Sequence, residues 1–301
     1  MLARPPRTVL AALVALFFAA GPAWAQFETR ASVPVLSNPI SMAVGDFNHD
    51  GKWDLAVATE FNGGVAVLLG NGDGTFKPAT YYTAGGAESS GSIATADLRG
   101  NGTLDLVVVN DSINALQVLL GNGDGTFGKP TSYPMPSQPV AVAAGDFNGD
   151  HKLDLVVATV GGFCPCISVL LGNGDGTFQE PPITIMPPVS PVAIGLGDFN
   201  HDGNLDVVTV GESVSGSEVG VLLGNGDGTF TPGANYTFGL GLPQSVAVGN
   251  FNRDGNLDLA VAFPLGGSID ILLSDGDGTF RRGAILPGLF ASDVRAADLK
   301  G

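Results

Sequence analysis

One pattern in this chain returns about every 50 residues, and that period limits the fold more than any other feature. GDFNHDGKWDLAVAT, from Gly45 to Thr59, comes back as GDFNGDHKLDLVVAT from residue 145, GDFNHDGNLDVVTV from 197 and GNFNRDGNLDLAVA from 249, with a looser copy, ADLRGNGTLDLVVV, from 96. A second signal, LLGNGDGTF, starts at Leu68, Leu119, Leu170 and Leu222, and LLSDGDGTF at Leu272, so both keep one period of 50 to 52 residues. Self-similarity on that scale belongs to propellers and solenoids, whose units bury their faces on their neighbours. Each period reads as four short strands, in the first copy SMAVGDF, WDLAVAT, VAVLLGN and TFKPATYY, bounded by Gly, Asn, Asp and Pro. No window carries an apolar 3.6-residue period long enough for a helix. The expectation is an all-β chain, a β-propeller of four-stranded blades.

The ends of the chain extend this reading. Residues 1–25 carry Arg4 and Arg7, an apolar run from Val9 to Ala20, and Ala23-Trp24-Ala25 before Gln26. They read as a secretory signal peptide with a small-x-small cleavage site, so export is expected, with the mature chain secreted, on the cell surface or periplasmic. The apolar run falls short of the roughly 18 residues a spanning helix needs, and no second run follows. Residues 26–301 form the propeller domain. It opens on FETRASVPVL, which matches a fourth strand, and stops just inside another aspartate motif. Five complete repeats plus these partial ones are expected to be a fragment of a six- or seven-bladed ring.

Acid is not spread evenly. Of 29 Asp and Glu, against 13 Lys and Arg, fourteen aspartates lie in the first motif and five in the second, leaving ten for the rest of the chain. An acidic surface argues against nucleic acid as a partner. Within Asp46-Phe47-Asn48-His49-Asp50-Gly51-Lys52-Trp53-Asp54, positions 1, 3, 5 and 9 carry side-chain oxygens. Position 7 varies, as it can where only its backbone carbonyl is used, and position 6 is mostly Gly, suited to positive φ. Oxygen donors at alternate positions suit calcium, a hard cation taking six to eight oxygens.

The expected metal residues are therefore Asp46, Asn48, Asp50, Lys52 and Asp54; Asp146, Asn148, Asp150, Lys152 and Asp154; Asp198, Asn200, Asp202, Asn204 and Asp206; and Asn250, Asn252, Asp254, Asn256 and Asp258. The loops differ. His151 stands at position 6, Asn250 removes a charge at position 1, and the loop from Asp97 has Arg99 at position 3 and Asn101 at position 5. Arg99 is expected to neutralise Asp97 and Asp105 and to leave that loop without metal. Apolar residues at positions 2 and 8 are expected to wedge into the core. GNGDGTF reads as hairpin-turn chemistry.

The GDFN-D-G-LDL loop followed by LLGNGDGTF resembles the FG-GAP, or VCBS-type, repeat and is similar to the repeat of the integrin α-subunit propeller. The resemblance spans nearly all of residues 26–301. It implies a β-propeller, often seven-bladed, with calcium on the aspartate loop between the first and second strands of a blade. It also implies a ligand face opposite the metals.

That opposite face is formed by the connections between strands 2 and 3 and between strands 4 and 1, where the copies differ most, among them EFNGG, NDSIN, GGFCPC, GESVSGSE and PLGGS. Variable loops on a rigid scaffold are a usual place for recognition. The three histidines, His49, His151 and His201, all fall in aspartate loops, away from that face. The expectation is a binding or adhesion module for protein or carbohydrate, and no enzyme. The alternative is a propeller-based polysaccharide lyase or hydrolase using acids among Glu60, Asp111, Glu212 and Glu218. Cys164 and Cys166 could close a small disulfide at a loop tip.

Overall fold

The computed structural model describes residues 35, 38–59, 64–84, 92–161, 165–187, 189–213, 216–238 and 241–297. The signal-peptide segment, most of the orphan strand, Cys164 and the residues from Asp298 onward lie outside them. The strands are β1 (Pro39–Gly45), β2 (Asp54–Thr59), β3 (Gly64–Leu68) and β4 (Thr80–Thr83); β5 (Ile93–Ala96), β6 (Asp105–Asn110), β7 (Ala115–Leu119) and β8 (Thr131–Pro134); β9 (Gln138–Gly145), β10 (Asp154–Val160), β11 (Cys166–Leu170) and β12 (Ile183–Ile185). They continue as β13 (Ser190–Gly197), β14 (Asp206–Ser213), β15 (Gly216–Gly224) and β16 (Phe230–Phe238); β17 (Ser245–Gly249), β18 (Asp258–Phe263), β19 (Ser268–Ser274) and β20 (Phe280–Pro287). Each group of four is one antiparallel sheet in chain order, giving the five blades expected from the repeat.

Successive first strands contact one another, β1 with β5, β5 with β9, β9 with β13 and β13 with β17, and so form the inner ring. Because side chains alternate across a strand, the second strand of a blade serves two neighbours at once. Leu106 and Val108 pack toward the first blade beside Ala56 and Val67, while Val107 and Val109 pack toward the third beside Leu155 and Val157. Both faces are covered, which explains why β6 is a run of buried residues with no polar face to solvent. The fourth strands vary. In the first three blades the expected strand is split, with a lone bridge such as Gly70 to Phe76 before the short β4, whereas β16 and β20 run unbroken.

Position 2 of the aspartate loops wedges into the core as expected: Phe47, Leu98, Phe147 and Phe199 are buried, and Phe251 packs partly buried against the last core. Three of these rings meet the phenylalanine that ends the next blade's GDGTF turn edge to face, Phe47 on Phe127 at 5.5 Å, Phe147 on Phe230 at 5.7 Å and Phe199 on Phe280 at 5.4 Å. Such pairs contribute about 0.5–1.5 kcal/mol each beyond their burial. Position 8 also packs against the core in four loops, through Leu104, Leu153, Leu205 and Leu257, and Leu104, Leu205 and Leu257 do so by lying over the glycine that opens the preceding blade's loop. A Cβ at Gly45, Gly145 or Gly197 would stand 2.6 to 2.7 Å from a methyl of those leucines. Trp53 belongs to the first described blade, where no preceding blade exists among the described residues to receive it, and it is 72% exposed.

Gly45→Val therefore introduces a branched side chain where Leu104 and the Phe47 ring already sit. Overpacking of this kind costs roughly 1–3 kcal/mol. Urea denaturation should show that loss, and the double change Gly45→Val/Leu104→Ala should recover part of it.

Candidate functional site

The aspartate loops sit on the edge of the blades where strand 1 turns into strand 2, and the GDG turns between strands 3 and 4 share that edge. The two are held together by the residue at position 9. Asp54, Asp105, Asp154, Asp206 and Asp258 have no exposure to water. In each, Oδ2 accepts the N–H of position 2, from 2.8 Å at Phe199 and Phe251 to 3.2 Å at Leu98. Oδ1 accepts the N–H of the residue at or just beyond the end of strand 3, namely Gly70, Gly121, Gly172, Gly224 and Ser274, at 2.7 to 2.9 Å. The spacing of the loop pointed to the carboxylate, but nothing in it pointed to this second partner 16 to 18 residues away.

The remaining acids organise the loop itself. Asp46 accepts the N–H groups of Asp50 and Gly51, and Asp198 those of Asp202 and Gly203. Asn48 Oδ1 accepts Asp50 N–H, Asp50 Oδ1 accepts Lys52 N–H, and the same two bonds recur at Asn148 with Asp150, Asn200 with Asp202 and Asn252 with Asp254. Lys52 and Lys152 bring their ammonium groups to Asp50 and Asp150 at 3.4 and 3.3 Å. Asn204 and Asn256 donate their backbone N–H groups at position 7. His151 takes the left-handed conformation expected of position 6, with φ of 64°. Position 4 is left-handed too, which was not foreseen: His49, His201 and Arg253 have φ of 57 to 64°. From there His201 Nε2 meets Asn256 Oδ1 of the next loop at 2.9 Å.

The electrostatics divide the loops into two kinds. In the loop from Asp97, the Arg99 guanidinium lies on the buried carboxylate, with Nη2 2.7 Å from Asp105 Oδ1, and also donates to Gly121 O at 2.6 Å. Of the two acids expected to pair with Arg99, Asp105 does so, while Asp97 takes the N–H groups of Asn101 and Gly102. In the other loops position 3 is Asn, and no described ion pair reaches the position 9 carboxylate. Burial pushes the Asp154 and Asp206 carboxyls above the usual range; the backbone N–H bonds of Gly172 and Phe147, or Gly224 and Phe199, pull them back, and nearby Asp150 with Asp146, or Asp202 with Asp198, push them up again.

Among the described residues no three acidic, histidine or cysteine side chains are gathered into a ready metal cluster. The donor set nonetheless suits a hard divalent cation: it is all oxygen, each carboxylate oxygen holding one N–H keeps a second lone pair, and four loops lack a cation where the fifth has a guanidinium.

The second acidic repeat is a turn, as expected. Asp73 Oδ1 accepts Thr75 N–H and hydroxyl at 2.9 and 2.6 Å, and Asn71 N–H closes the hairpin on Thr75 O. Its second glycine does more than turn. Gly125, Gly228 and Gly278 donate N–H to the position 2 carbonyl of the preceding blade, Phe47, Phe147 and Phe199, at 2.9 Å, and Gly125 does so at φ of 84°. On the opposite face Cys166, one of the two cysteines that could close a disulfide, is a buried free thiol with Sγ 3.2 Å from Thr159 Oγ1.

Asp206→Ala leaves two buried N–H groups without an acceptor, at about 1–3 kcal/mol each. Chelator-treated protein should lose that stability in urea, and Asp206→Asn, which keeps one acceptor and removes the buried charge, should lose less. His151→Gly relieves a left-handed non-glycine residue and should gain about 1 kcal/mol in the same assay.

Comparison with solved structures shows the fold alone. A protein from Lactobacillus plantarum superimposes with a TM-score of 0.59 at 15% identity, over 83% of this chain and 71% of that one. The periplasmic gluconolactonase of Pseudomonas aeruginosa gives 0.55 at 17% over 85% and 72%. A protein named as a 6-phosphogluconolactonase from Bacteroides uniformis gives 0.53 at 12% over 87% and 89%. These two correct the expectation that the chain is no enzyme: proteins named as lactonases share the propeller, so the architecture gives no ground for excluding catalysis. Comparison with curated proteins returns no match. The FG-GAP-like repeat matches residues 46–108, 100–157, 161–209 and 210–261. With the repeat covering well over half of its length, the chain belongs to the FG-GAP-like repeat family.

Proposed function

We propose that the chain is an exported, calcium-stabilised propeller that acts as a binding module, taking a protein or carbohydrate ligand on the face opposite its aspartate loops. The observation that carries the calcium is the buried position 9 carboxylate, matched by a guanidinium in one loop and by no described cation in the other four. Asp46, Asn48, Asp50, the carbonyl of Lys52 and Asp54 would hold one ion, with the matching residues of the loops from Asp146, Asp198 and Asn250 holding the others. A bound divalent cation would supply the positive charge that no described side chain brings to the position 9 carboxylate of these loops. Binding to the folded state alone stabilises it by about 2.7 kcal/mol per site at 100 times Kd.

For the ligand face, the support is variation on a fixed frame. The turns from Asn110 to Asn114 and from Pro264 to Ser268 hold different side chains on equivalent hairpins, and Ile113, Leu265 and Phe290 stand exposed there. Glu218, on the same side, is buried and accepts the hydroxyls of Ser213 and Thr237. Among the described residues no helix is long and apolar enough to cross a membrane.

Calcium should raise the melting temperature of the purified protein and chelator should lower it, with Asp198→Ala/Asp202→Ala binding one ion fewer. A melt indifferent to calcium would overturn the ion reading. Incubation with a panel of polysaccharides separates binding from turnover, because a binding module retains its glycan intact and a lyase or hydrolase releases shorter products.

A further inference from the structure

Blade two differs from its neighbours in one respect that the repeat makes measurable. All five loops bury the same carboxylate on the same pair of N–H groups, but among the described residues only at Asp105 does a positive charge lie upon it. Arg99 reaches there from position 3, the position at which the other four loops carry Asn48, Asn148, Asn200 and Asn252. Those asparagines turn back onto their own loop, accepting the N–H of the position 5 aspartate. The Arg99 side chain is mostly buried, it meets Asp105 through both Nε, at 3.3 Å, and Nη2, at 2.7 Å, and its Nη2 also donates to the carbonyl of Gly121. A second change accompanies it. Position 5, an aspartate in the other four loops, is Asn101, so the loop has lost an acid as well as gained a base.

We infer that Arg99 is a built-in counter-ion that takes the part of a divalent cation in blade two, making this loop specific for no metal while the other four take calcium. The inference rests on the calcium reading of those four loops. A guanidinium cannot be a ligand to a cation, and its position against the buried carboxylate both satisfies that charge and fills the approach to it. Blade two contributes to two of the apolar cores, packing Leu106 and Val108 toward blade one and Val107 and Val109 toward blade three. Its loop therefore stays ordered at any calcium concentration, while the loops on either side respond to the ion.

The test is a count of bound calcium by equilibrium dialysis on the wild-type protein and on Arg99→Asn/Asn101→Asp, which restores the donor pattern of the other loops. One additional ion per chain in the double variant is the expected result. Calcium bound by the wild type with no additional ion in the variant overturns the inference and leaves the calcium reading standing. No calcium in the wild type removes the calcium reading, and this inference with it. Should the variant fail to fold, amide hydrogen exchange on the wild type decides: residues 97–105 should exchange equally in calcium and in chelator while 198–206 gain protection with calcium. An equal gain in 97–105 overturns it.

Discussion

Each blade is closed by a carboxylate taken fully out of water, and most of what is distinctive in the molecule answers to the cost of putting a charge there. A buried anion is tolerated only where hydrogen bonds and opposite charge surround it. The hydrogen bonds come from two places far apart in sequence, the start of the aspartate loop and the end of strand 3, so that solvating Asp154 or Asp206 from within the protein is the same act as joining the inner half of the blade to its outer half. The charge itself is answered by a guanidinium at Asp105, whereas at Asp154 and Asp206 the neighbouring loop acids add to it.

The same loop is also where one blade grips the next. Its position 2 ring is buried against the following blade's phenylalanine, its position 2 carbonyl receives that blade's glycine N–H, and the glycine ahead of the loop leaves room for that blade's leucine. Anything that orders the aspartate loop consequently orders an inter-blade contact. Loop and core are coupled through one residue, the one at position 2, whose N–H faces the carboxylate while its side chain faces the neighbour.

Much of this was legible in the residues before any coordinates. The 50-residue period with four apolar runs per unit gave blades, because periodicity is a property of spacing alone. Oxygen donors at positions 1, 3, 5 and 9 marked the loop, the GDG turns read as turns, and Arg99 stood out as a charge of the wrong sign among ligands. What escaped was whatever depended on contacts between repeats. Trp53 and Leu104 look alike in sequence, as apolar residues at position 8, and differ in whether another described blade stands behind them. The carboxylate's second partner is a backbone N–H, which every residue but proline carries and no side-chain pattern announces. Split fourth strands such as β4 were invisible for a similar reason, since TFKPATYY reads as one run until its pairing with β3 is seen.

The joint between blades has two halves, and adjacent repeats carry one each: the glycine, ring and carbonyl at the loop of one, the leucine and GDG turn of the next. The repeats from Gly145, Gly197 and Gly249 bear both halves in the same order, so a duplication or deletion of one such period rejoins a donor half to an acceptor half of the same kind. Among those repeats, recombination out of step by about 51 residues leaves the joint matched, whereas a cut at another offset severs it. Selection for the joint is thus selection for the repeat as the unit of inheritance, and blade number becomes free to drift while blade chemistry does not.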